Sequence, residues 1–168
     1  ADAVPQSGAA PDDPLTVYTA GFLMHHVLDR NIHPYVFCKS GSGKWNHQRF
    51  EVILDTIVVR RLRGLDTRTV PAWKEIHVGP ELPHAVIAVL DRVVAAHYPD
   101  MAPHIRRSDW NAAYRDMIRA QKLFHDPTGW KTILTFNQIA PFVYNSRYPQ
   151  RDYLNEAHGP WRHPALED

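Results

Sequence analysis

The stretch Glu81–Asp100, ELPHAVIAVLDRVVAAHYPD, constrains the fold of this chain more than any other. Leu82, Val86, Val89, Leu90 and Val93 recur at helical spacing, and Ile87 and Val94 widen the stripe. Only a narrow strip of His84, Ala88, Asp91, Arg92 and Ala95 is left over. A helix apolar over most of its girth has to be enclosed by other helices. Pro80 suits its first turn, where a missing N–H costs nothing, and Pro99 stops it. Ala85, Ala88, Ala95 and Ala96 are small enough to let neighbouring helices approach closely. The stretch locates a core and carries no chemistry.

The other helices follow from the same periodicity. Asp13-Pro14 reads as an N-cap and first-turn pair opening a helix to about Arg30, with Leu15, Tyr18 and Phe22 on one side and Val17, Met24 and Leu28 spreading the stripe. Pro34, Gly41 and Gly43 then predict a loop over Asn31–Lys44. Asn46–Arg63 is cleanly amphipathic, through Phe50, Ile53, Leu54, Ile57, Val58 and Leu62. Arg60, Arg61 and Arg63 complement its C-terminal dipole, and Gly64 is a natural residue just past its end. A short turn around Pro71–His77 comes next. Beyond the apolar helix, Ser108 is expected to cap a helix carrying Trp110, Ala113, Tyr114, Met117 and Ile118 inward, and Trp130–Ala140 reads as a last helix, with a strand over Thr132–Phe136 as the alternative. The expected fold is all-α, an irregular helical bundle or short α-solenoid of about five to six helices with an extended C-terminal arm. Residues 1–13 are expected to be a flexible leader, 14–140 the helical domain and 141–168 the arm.

Composition narrows the function classes. The net charge near +1 does not demand a nucleic-acid or membrane partner. The apolar run Ala85–Ala96, interrupted by Asp91 and Arg92, is too short to span a bilayer. Cys38 stands alone, so the chain has neither an intrachain disulfide framework nor a cysteine-based zinc site. The start at Ala1 without methionine fits a removed import or secretory signal and fits an artificially shortened chain equally well; the mitochondrial matrix side is the expected location, with the cytoplasm as the alternative.

Motifs for chemistry fall short. Ser40-Gly41-Ser42-Gly43-Lys44 resembles a phosphate-binding loop, but Cys38 stands where the first glycine belongs and Trp45 where Ser or Thr would hold magnesium. Ser42 makes no nucleophile elbow. The order His25, His26, His33, then Asn46-His47 is similar to that of metal-dependent nucleases, yet His25 and His26 lie mid-helix rather than on a hairpin. No His-Glu-x-x-His occurs and no two histidines sit four apart on one helix face, so no metal or other cofactor is expected. Asp91, the one acid inside the apolar helix, is either a general base or an ion-pair partner for an arginine on a neighbouring helix; the second is favoured. No catalytic residue is assigned.

What remains points to partners. Residues 141–168 combine Pro141, Pro149, Pro160 and Pro164 with five large rings, a composition foreign to disordered tails. These rings must be buried either on this chain's own helices or on another protein, and the sequence favours neither; on the second reading Tyr144, Tyr148, Tyr153 and Trp161 anchor on a neighbouring subunit, with Arg147, Arg151 and Arg162 at the polar rim. The leading expectation is a non-catalytic accessory subunit of a hetero-oligomeric assembly, such as an ATP synthase, a respiratory complex or a ribosome. The alternatives are a helical-repeat protein binding RNA through Arg60, Arg61, Arg63, Arg106 and Arg107, and an enzyme whose pocket is not legible in sequence.

Overall fold

The structure, a computed structural model, describes residues 12–162. Among these it is all-helical: α1 (Pro14–Ser40), α2 (Asn46–Arg63), α3 (His84–His97), α4 (Arg107–Phe124) and α5 (Trp130–Leu134), with single 3-10 turns at Ala72–Lys74, Ala102–His104 and Ala140–Phe142 and no strand. Two compact units emerge, Ala1–Asp29 with His77–Arg119, and Arg30–Ile76 with Ala120–Asp168. The second draws residues 141–162 together with α2. Of the expected leader, residues 1–11 lie outside the described residues.

In the first unit Asp13 caps α1, its carboxylate accepting the Thr16 N–H (2.9 Å) and hydroxyl (3.2 Å). The apolar helix α3 starts at His84 rather than Pro80, with Pro83 in extended geometry just before it. It buries Val86, Ile87 and Val89, while Val93 and Tyr98 stay exposed. One buried face corrects the expectation of enclosure on most sides: α3 packs as an ordinary amphipathic helix. On α4, Tyr114 and Ile118 are buried, whereas Met117 and Ala113 face solvent. Ser108 lies inside α4, and the Asp109 carboxylate reaches back to the Arg106 N–H (2.9 Å), so it holds the helix start instead. Tyr114 pins the segment before α3, accepting the Val78 N–H (2.9 Å) and donating to the Gly79 carbonyl (3.1 Å).

The second unit is built on α2 and the second half of α1. α1 runs through Asn31–Ser40, where a loop was expected. Pro34 removes one helical hydrogen bond, a cost of about 3 kcal/mol in a helix interior. The helix persists because Val36 is completely buried and Ile32 and Tyr35 pack beside it on Phe50, Ile53 and Leu54 of α2. α2 itself ends as its sequence dictates, Gly64 adopting φ 65° and donating its N–H to the Arg60 carbonyl. Thr56 and Thr67, both buried, satisfy one another (3.1 Å), and Thr56 also donates to the Val52 carbonyl (2.8 Å).

The last helix is shorter than its periodicity suggested. α5 stops at Leu134, and Phe136 and Asn137 both take positive φ (50° and 63°), which no helix continues through. Asp126 secures the turn before α5: its buried carboxylate accepts the Thr132 N–H and hydroxyl, each at 2.8 Å.

Candidate functional site

Two places stand out, an uncovered apolar helix and a cluster of metal-ligating side chains. The first is the N-terminal half of α1. Val17, Ala20, Gly21, Met24, Val27 and Leu28 follow at i, i+3, i+4, i+7, i+10 and i+11, the spacing of a helix-packing seam. All six are exposed, Met24 to 73% and Leu28 to 61%. A methyl added at Gly21 would meet nothing within 4 Å. Glycine inside a helix costs about 1 kcal/mol relative to alanine, and among the described residues nothing comes close enough to require it. A second uncovered surface lies on α5 and the turn after it, where Trp130, Ile133, Leu134 and Phe136 are exposed, Phe136 to 87%. A bulky ring held largely in solvent on a left-handed backbone is strained locally and has little burial to offset it.

The second place lies within the Arg30–Ile76 unit. His33 on α1, and His47 and Glu51 one turn apart on α2, each offer a ligand atom within 4.8 Å of the others. Glu51 Oε1 lies 3.0 Å from His33 Nε2 and 2.9 Å from His47 Nε2. The Phe37 ring packs 4.5 Å from the His47 ring and 5.8 Å from that of His33. His47 Nδ1 is buried without a hydrogen-bond partner. The four-residue spacing of His47 and Glu51 on α2 is a signal the sequence carries, distinct from the paired histidines of zinc helices; His33 joins only through helix pairing.

The residues expected to contact a partner are largely committed to their own chain. Tyr153 is 5% exposed, inside the cluster with Val36, Phe50, Ile53 and Leu54, the self-packed of the two readings its sequence allowed. The Tyr35 hydroxyl donates to the Tyr153 carbonyl (3.0 Å). Tyr148 is half-buried against the same cluster, its ring 5.8 Å from that of Tyr153. Tyr144 donates to Asp55 Oδ2 (3.2 Å). Burial, then the Asp55 charge, push the Tyr144 hydroxyl well above its ordinary value, while desolvation raises the Asp55 carboxyl against the pull of that hydrogen bond. Arg151 donates to the Lys39 carbonyl and lies 5.6 Å over the Phe50 ring. Trp161 stays partly exposed, edge-on to Tyr35 at 5.4 Å, and Arg147 is exposed. A segment without helical period can still close a core when its rings have a helix face to land on.

The arginines considered for RNA are answered by carboxylates: Arg61 by Glu156, Arg106 by Asp109 (3.6 Å) and Arg107 by Asp91 (3.1 Å). Arg60 and Arg63 stay exposed on the last turn of α2. Asp91 also accepts the Trp110 indole N–H (2.8 Å), so the acid of the apolar helix is an ion-pair and hydrogen-bond partner to α4. Among the described residues no helix is long and apolar enough to cross a membrane. Compared with known proteins, the chain matches no family model, no curated protein and no solved structure.

Proposed function

We propose that this chain is a non-catalytic accessory subunit of a hetero-oligomeric protein assembly, and that the N-terminal half of α1 is its principal contact. The observation that carries the reading is the exposed seam Val17, Ala20, Gly21, Met24, Val27 and Leu28. Contiguous apolar surface of this kind is uncommon on monomers and marks contact sites. The occupant that fits is an apolar helix of another subunit: the seam has helix-packing spacing, and Ala20 and Gly21 allow close backbone approach. Trp130, Ile133 and Phe136 supply a second contact of the same chemistry. The mitochondrial matrix is the compartment we propose, a reducing setting that suits the exposed free thiol of Cys38.

Met24→Glu combined with Leu28→Glu tests this reading. Both side chains are exposed, so the isolated chain should keep its thermal transition within a degree or two. Expressed in its native cell, the variant should lose its place in a stoichiometric complex that the wild-type chain enters. A variant that assembles as fully as wild type overturns the assignment of the seam.

A further inference from the structure

We propose that His33, His47 and Glu51 form a binding site for a divalent transition-metal ion of the zinc class. Two imidazoles and one carboxylate are a donor set for zinc, cobalt or nickel, whereas magnesium and calcium require oxygen ligands throughout. Zinc bonds to these donors are about 2.0–2.2 Å, which sets tetrahedral ligand atoms about 3.3 Å apart. Glu51 Oε1 already lies 3.0 and 2.9 Å from the two Nε2 atoms, two separations that an ion would open by only a few tenths of an ångström, and all three ligand atoms lie within 4.8 Å of one another. The ligands come from two helices of one packed unit, and Phe50 beneath α2 belongs to its core. Each ligand side chain keeps between a quarter and about a third of its surface exposed, which leaves an entry path and room for a fourth ligand.

The competing arrangement is a plain hydrogen-bond pair, with Glu51 Oε1 accepting an N–H from each ring. That arrangement puts the His47 proton on Nε2 and leaves its buried Nδ1 as a lone pair with no donor. Metal at Nε2 transfers the proton to Nδ1, where no acceptor waits, so the site lacks the second-layer partner that tight zinc sites provide. The expected affinity is therefore in the micromolar range rather than that of a structural zinc finger. Three protein ligands leave the fourth position to water or to a side chain of another subunit.

The experiment is titration of the full, metal-stripped chain with zinc chloride by calorimetry, paralleled by cobalt chloride in the visible. One zinc per chain, with dissociation constant on the order of 10 μM, and a cobalt spectrum of a four-coordinate site are expected. Glu51→Gln keeps the size and a hydrogen-bonding oxygen but removes the charge, and should weaken zinc at least about tenfold; His47→Ala should weaken it further. His25→Ala combined with His26→Ala should leave binding unchanged. Wild-type binding no tighter than about 1 mM, or affinity that survives Glu51→Gln and His47→Ala, overturns the site. If His47→Ala fails to fold, Glu51→Gln and the wild-type cobalt spectrum still decide.

Discussion

At the residue scale, single polar side chains hold the irregular segments where periodicity gives no help. Tyr114 serves both Val78 N–H and the Gly79 carbonyl, although Val78 itself is exposed and water can replace part of the loss. Tyr114→Phe should therefore cost about 1 kcal/mol, measured as a lower urea midpoint with unchanged slope. Asp126 offers a pH test. Burial alone would raise its carboxyl, but hydrogen bonds from Thr132, Lys131 and Gly129 together outweigh that and hold it below the ordinary value. A depressed carboxyl contributes stability at neutral pH that is lost as pH falls below the ordinary aspartate value of about 3.9 towards the folded-state value. Thermal melts between pH 7 and pH 3 should decline for the wild type, and Asp126→Asn should start lower and flatten that decline. A decline equally steep in Asp126→Asn counts against this account of the turn.

At the element scale, what was legible in the sequence is what local rules determine. α2 was readable end to end because its stripe, arginine-rich last turn and Gly64 are all local signals. α1 was not, since the reason it runs past Pro34 is burial of Val36 and Tyr35 on α2, a contact between segments far apart in sequence. The early end of α5 was hidden too, because Phe136 is a residue that local preference keeps out of the left-handed region. The C-terminal rings showed that apolar surface needed covering without showing that α2 covers it. Tyr153→Ala should then destabilise the unit by about 3 kcal/mol, read by urea unfolding, because the ring leaves a cavity among Val36, Phe50 and Leu54. A truncation ending at Ala140 should melt well below the full chain; an unchanged transition would return residues 141–162 to the status of an independent arm. Val89→Asp should likewise unfold the first unit, where α3 buries that side chain, and a transition within a degree or two of wild type would contradict it.

At the scale of the whole molecule, apolar side chains are left uncovered in both units, on α1 and on α5. The interior satisfies most of its polar groups and pairs several surface arginines with acids. Other exposed apolar side chains, among them Phe37, Trp45 and Tyr98, lie outside these two surfaces, but α1 adds a bare helical glycine and α5 a left-handed Phe136, the features on which the proposed subunit contact rests. The His33–His47–Glu51 cluster is independent of that reading, since it lies within one unit and needs no second chain to bring its ligands together. The measurement that tests the central claim most directly is the native mass of the endogenous protein, taken by native electrophoresis and sedimentation from gently lysed cells. The account predicts a species far heavier than the 19.3 kDa chain, with other polypeptides in fixed ratio to it. A monomer at 19.3 kDa, or an assembly of this chain alone, would contradict it.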